Sequence, residues 1–212
     1  MRQSARRQGT GLVVVLLLAA GVARADIGGL KPFSAQLDSG AVFVKEAGFG
    51  HGWRYGGGVF FRTGKRAGVE ILLERFGVPV EEDAGGEPGL GAGRMDMTSL
   101  LFNQHLFFLS RGRILPYAIL GVGFCFIGYS PDDAAALPEK DFVDRLALQL
   151  GGGLDFRVSS GLAVSGKVRY NMVKTWVEDL PRTEPIRETD PLAQNMLHLY
   201  GLELSLGLKF SF

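Results

Sequence analysis

The end of the chain alternates without interruption. From 202 to 212, Leu202, Leu204, Leu206, Leu208, Phe210 and Phe212 hold every second position, and Glu203, Ser205, Gly207, Lys209 and Ser211 fill the gaps. A period of two becomes two faces only in a strand, whose successive side chains project to opposite sides. The segment therefore reads as a strand with one wholly apolar face and one small or polar face. Any fold for this chain must find two different surroundings for the two faces of a sheet.

The same split recurs upstream. Leu146, Leu148, Leu150, Leu154, Phe156 and Val158 oppose Gln149, Gly151, Gly153, Asp155 and Arg157, while Leu162, Val164, Val168, Tyr170 and Met172 oppose Ser165, Lys167, Arg169 and Asn171. Ala118, Leu120, Val122, Phe124 and Phe126 oppose Gly121, Gly123 and Cys125. Tyr55, Val59 and Phe61 oppose Arg54, Gly56, Gly58 and Arg62; Val69, Ile71 and Leu73 oppose Glu70 and Glu74, with Leu72 as an exception. With two less regular segments, 33–44 and 94–109, the pattern predicts eight strands. The links 63–66, 110–113 and 159–161 are short and carry Gly; longer links near 45–53, 77–93, 129–141 and 177–195 alternate with them. Short turns on one side, long loops on the other and both termini on the short side are the plan of a transmembrane β-barrel.

Residues 1–25, MRQSARRQGTGLVVVLLLAAGVARA, read as a secretory signal peptide cut before Asp26. Arg2, Arg6 and Arg7 form the basic start, Leu12 to Ala20 the apolar run, and Ala23-Arg24-Ala25 the small-x-small site. The run is shorter than the ~20 residues a helix needs to cross a bilayer. The Sec route is favoured over twin-arginine export, and no Cys follows the run for lipid attachment. The expected organisation is thus a signal peptide at 1–25 and a β-barrel at 26–212. Cleavage removes four arginines, leaving 19 bases against 22 acids. So balanced a chain excludes a dedicated nucleic-acid binder, and the lone Cys125 excludes an internal disulfide framework.

A soluble lipocalin-like barrel also alternates, with its apolar face inward. Three features favour the inside-out arrangement. The polar face carries charges of both signs together with Gly56, Gly58, Gly121, Gly123, Gly151, Gly153, Gly201 and Gly207, which suits a narrow lumen and accounts for much of an excess of 31 glycines. Aromatics gather near the strand ends as in interfacial girdles: Phe60, Phe61, Phe107, Phe108, Tyr117, Phe156 and Phe210 towards the short turns, Trp53, Phe76, Tyr129, Phe142, Trp176 and Tyr200 towards the long loops. Finally, the chain ends on an apolar-face aromatic, Phe212.

The signal peptide, the closing GLELSLGLKFSF and the Pro116-Tyr117 strand leading to Gly121-Val122-Gly123 resemble the small bacterial outer-membrane β-barrel family, the OmpA- and OmpW-like barrels. The resemblance implies an all-β fold, an eight-stranded antiparallel up-and-down transmembrane barrel in the outer membrane of a Gram-negative bacterium. It also implies that the terminal strand, with Leu204, Leu206, Leu208, Phe210 and Phe212, is read by the outer-membrane assembly machinery. Outer-membrane lipids and lipopolysaccharide are the other partners expected, nucleic acid is not, and the barrel is expected as a monomer. One function is not implied, since such barrels serve as anchors, adhesins, narrow pores and enzymes.

The polar face would bring Arg54, Arg62, Glu70, Glu74, Gln149, Asp155, Arg157, Lys167, Arg169, Glu203 and Lys209 into one lumen. Eight strands leave room only for side chains, so a salt-bridged plug is expected, with a gated narrow pore as the alternative. Segments 77–93, 130–141 and 177–190 hold 13 acids against Lys140, Arg182 and Arg187, and the short-turn side carries Arg62, Lys65, Arg66, Arg111 and Arg113. The acidic rim is expected to solvate the outer surface; capture of divalent cations shared with lipopolysaccharide is its functional alternative. Lipid A deacylase barrels place a Ser two residues after a His. His51-Gly52-Trp53, His105-Leu106-Phe107 and His198-Leu199-Tyr200 do not, so base and nucleophile are not adjacent. Without a phosphate loop, metal-ligand cluster or cofactor signature, no cofactor is expected. The reading favoured is a non-enzymatic barrel with a structural or surface-interaction role. A narrow channel or carrier for small or apolar solutes, and a lipid-modifying barrel, remain as alternatives.

Overall fold

Eight strands pair in sequence order and the last closes on the first. They are β1 (Phe33–Val44), β2 (His51–Arg62), β3 (Ala67–Val80), β4 (Gly93–Phe107), β5 (Ile114–Pro131), β6 (Arg145–Arg157), β7 (Leu162–Trp176) and β8 (Met196–Ser211). The computed structural model describes residues 31–46, 48–81, 92–132, 145–176 and 196–212; the expected signal peptide at 1–25 lies outside them. Every neighbouring pair is antiparallel, and the seam runs from Ser34↔Ser211 to Val44↔Gly201. A closed ring has no free edge, so each backbone group finds its partner within the wall, as a lipid environment demands. The short turns are tight: Thr63 N–H donates to the Ala67 carbonyl at 3.0 Å and Val158 N–H to the Leu162 carbonyl at 2.9 Å. In the β4–β5 turn, Gly112 takes φ 129°, a conformation that favours glycine.

The strands run longer than the alternation alone suggested. β5 covers 18 residues, continuing inward-facing Ile127 and Tyr129 beyond the segment ending at Phe126, and the β1–β2 link shrinks to residues 45–50. That link folds back on the wall, with Phe49 bridged to Val80 and Glu81 N–H donating to the Gly48 carbonyl at 2.7 Å.

The orientation of the two faces is decided by exposure. On β8, Leu206 and Phe212 are 69% and 67% exposed, while Glu203 and Lys209 on the opposite face are 1% and 4% exposed. Leu37, Leu73, Leu120, Leu150 and Leu154 extend the exposed apolar surface around the barrel. A continuous belt of this kind is far beyond what water tolerates on a soluble protein. The belt therefore faces lipid, and a lipocalin-like arrangement is excluded.

The girdle needs correction. Phe60, Phe107 and Tyr117, and at the other end Phe76 and Tyr129, point inward and are buried. The barrel interior tolerates rings near its ends, and these residues fill it. Trp53, Phe108, Phe156 and Phe210 do stand on the outer wall. Phe142 and the side chain of Trp176 lie outside the described residues.

Strand approach sets the glycine positions. A Cβ on Gly123 would drive into the Leu100 carbonyl oxygen, and one on Gly40 into that of Leu204. Gly123→Ala is expected to cost about 1–3 kcal/mol by overpacking. Gly128→Ala, where a Cβ would meet nothing nearer than 4.0 Å, should match the parent in urea unfolding in lipid vesicles. Equal midpoints for the two variants would refute the close-approach argument.

Candidate functional site

At mid-height the lumen is filled by charge. β2 supplies Arg54, whose guanidinium lies 2.9 Å from Asp38 on β1, 2.8 Å from Glu74 on β3 and 2.8 Å from Glu203 on β8. β7 supplies Lys167, with its ammonium 3.0 Å from both Asp38 and Glu70, and Arg169, which pairs with Glu203 and stands 3.4 Å from Glu74. Register explains the meeting: Arg169 lies directly opposite Glu203 in the β7–β8 ladder. Glycines make the room, with Gly151 beside Arg169, Gly153 beside Lys167 and Gly56 beside Glu74. Neutral groups complete the network. Asn103 donates to Glu70 at 2.6 Å, Asn171 to Glu203 at 3.0 Å and Gln149 to Asn171 at 2.7 Å. His105 Nε2 is 3.1 Å from Glu70 while its Nδ1 has no partner, which fits the neutral tautomer donating from Nε2. Charges taken out of water persist when paired, and every charge of this ring has an opposite one beside it, with Arg169 Nε left without a hydrogen-bond partner.

Two further layers lie above and below. Towards the short turns, Lys209 binds Asp155 at 3.0 Å and sits 3.9 Å over the Phe60 ring, while Tyr117 bonds Ser165, which donates to Asp155. Towards the long loops the interior is apolar: Leu72, Phe76, Val78, Met95, Met97, Leu101, Ile127, Val173 and Leu199 pack into one buried cluster. The expected lumen, polar throughout, is thus polar only in its lower and middle parts. A barrel this narrow packs its centre as a soluble protein packs a core. Leu72, the exception in the sequence pattern, belongs to this apolar layer.

No protein-family model matches the sequence, and neither does any curated protein. Solved structures do. Neisserial surface protein A superposes with a TM-score of 0.58 at 13% identity, over 85% of this chain and 97% of that one. Outer membrane protein OprG of Pseudomonas aeruginosa gives 0.58 at 15% identity, over 88% and 100%. Outer membrane protein AlkL, solved in lipid bilayers, gives 0.58 at 17% identity, over 86% and 90%. The fold is that of the small outer-membrane β-barrels.

In this outer-membrane-type barrel the residues singled out from sequence divide into four groups. Arg54, Glu70, Glu74, Lys167, Arg169 and Glu203 meet in the central ring, and Asp155 with Lys209 forms a separate pair below it. Arg62 and Arg157 stand apart at the short-turn mouth. Leu204, Leu206, Leu208, Phe210 and Phe212 face outward. Sequence reasoning missed Asp38, Asn103 and His105. The first lies on the run Ser34, Gln36, Asp38, whose spacing of two was legible; the other two were hidden because β4 points Met95, Met97 and Leu101 to the same side. Of the remaining histidines, His51 is exposed on the outer wall with its ring 5.0 Å from that of Phe43, and the side chain of His198 lies outside the described residues. Among the loop acids, Glu81 and Asp132 are described; those in 82–91, 133–144 and 177–195 lie outside the described residues.

Proposed function

We propose that this protein is a non-conducting scaffold of the bacterial outer membrane, whose barrel anchors its long connections at the cell surface for structural or surface-interaction work. The observation that carries the reading is the filled interior. Above the charged ring, the cavity bounded by Val42, Phe76, Met97, Val173 and Leu199 measures about 20 Å³, room for a single water. An ion moving along the axis would have to break the Arg54 and Arg169 pairs and then cross the apolar layer. The outward Leu204, Leu206, Leu208, Phe210 and Phe212 suit β8 to recognition by the outer-membrane assembly machinery, and the belt to direct contact with lipid.

Planar-bilayer recording tests the closed lumen. The refolded chain is expected to give no stepwise conductance above the lipid baseline. Steady single-channel steps would overturn the scaffold reading and favour the narrow-channel alternative, with the Arg54 ring as its gate.

A further inference from the structure

The short-turn mouth holds a cavity of about 240 Å³ that the scaffold role does not use. Its charged lining is Lys31, Arg62, Arg157 and Lys209 against a single acid, Asp155. That acid is already engaged, 3.0 Å from Lys209 Nζ and accepting from Ser165 at 2.8 Å. Arg62 is only 5% exposed, yet its partners are the Lys65 carbonyl at 3.1 Å and the face of Phe107, 4.3 Å from the ring centroid. Among the described residues, Lys31, Arg62 and Arg157 form no ion pair with a carboxylate. Three cations without a paired carboxylate therefore border one cavity; Lys31 donates to the Ser211 carbonyl at 3.1 Å, and Arg62 is sheltered from water. A sheltered cation without a counter-charge is costly, so the cavity is built to receive an anion.

The chemistry of the donors narrows the class. Guanidinium groups present planar forks that match phosphate oxygens two at a time. Ser159 Oγ accepts from the Gly161 N–H at 3.3 Å, which leaves its own hydroxyl proton available to the cavity it lines. Lys65, Arg66, Arg111 and Arg113 on the adjoining turns add positive potential, raising the local concentration of anions. We propose that this vestibule binds a phosphate-class oxyanion, held by Arg62 and Arg157 with support from Lys31. The phosphate of a lipid headgroup in the neighbouring leaflet and free phosphate in the compartment beyond the short turns share this chemistry.

The test uses the full refolded chain. In uncharged maltoside micelles at constant ionic strength, inorganic phosphate is titrated while backbone amide shifts around residues 62–66 and 157–161 are followed. Saturable one-site binding is expected, weakened about tenfold in Arg157→Gln by loss of a charge-assisted bond and by less than about twofold in Arg111→Gln, which removes only the diffuse potential of an exposed turn. In phosphatidylcholine nanodiscs with and without phosphatidylglycerol, native mass spectrometry reads retained lipid. Retention of phosphatidylglycerol that Arg157→Gln abolishes assigns the site to a headgroup; phosphate binding without such retention assigns it to a soluble anion. Shifts that never saturate, or an equal loss in Arg157→Gln and Arg111→Gln, with no selective lipid retention, overturn the proposal. Lys31→Gln, at the rim, gives a second variant whose folding does not depend on the lumen. Bilayer conductance bears on the scaffold reading alone, so the two stand or fall separately.

Discussion

Arg169→Ala is expected to destabilise the barrel by about 3–5 kcal/mol, the cost of stranding buried charge. The side chain is fully buried, pairs with Glu203, approaches Glu74 and donates to Gln149 at 3.3 Å. Its loss leaves Arg54 and Lys167 facing Asp38, Glu70, Glu74 and Glu203, two cations for four carboxylates in a space without bulk water. Glu70→Ala leaves three cations for three carboxylates, so its cost is expected to come from Lys167, which keeps only Asp38, and from Asn103 and His105, which lose Glu70 as their partner. A charge-free exchange separates pairing from packing. Arg169→Met combined with Glu203→Met removes one cation and one anion while keeping volume, and should recover much of the loss. Urea unfolding in lipid vesicles measures all three, with Glu81→Ala outside the lumen as reference. If Arg169→Ala and Glu81→Ala unfold together, the ring does not hold the wall, and the lumen is better read as a solvated channel.

How far the sequence shows this arrangement depends on what fills the inward face at each height. β8 is legible from Gly201 onward because every inward residue from there to Ser211 is small or polar and every outward one apolar, so alternation and burial coincide; above it, Leu199 faces inward into the apolar layer. β4 is not. Met95, Met97 and Leu101 face inward, Asn103 and His105 face inward below them, and Leu106 faces lipid, so hydrophobicity stops reporting the side on which a residue stands. Phe107 lies on this ambiguous strand, whereas Phe60 shares its parity with Arg54, Gly56 and Arg62, and Tyr117 with Gly121 and Gly123. The inward side of these two rings is therefore legible in the alternation, and their height along the strand is no guide to it. The charged partners could be nominated by face, but their pairing depends on register. Arg169 reaches Glu203 because their strands align at that rung, and Arg54 reaches β8 across the lumen; neither distance is written in local spacing. The separation of Arg62 and Arg157 from the ring likewise follows from height along the axis.

Leu206→Arg supplies the converse of the lumen experiment, since it alters a side chain with no partner to lose. Leu206 is 69% exposed, mid-wall, between Ser39 on β1 and Gly166 on β7. On a soluble barrel an exposed Leu→Arg change costs next to nothing, within about 0.5 kcal/mol. In lipid the same change is expected to cost about 2–4 kcal/mol near the midplane and to fade to about 0–1 kcal/mol towards the interface. Ile114→Arg provides the shallow comparison: the residue is 54% exposed at the first position of β5, beside the short turn. Unfolding in vesicles should therefore show a large loss for Leu206→Arg and a small one for Ile114→Arg. A uniform cost would mean that exposure rather than depth governs the effect, and negligible costs at both sites would place the belt in water. The gradient is the discriminating quantity. Only a bilayer gives two exposed apolar positions on the outer wall penalties that differ according to their height.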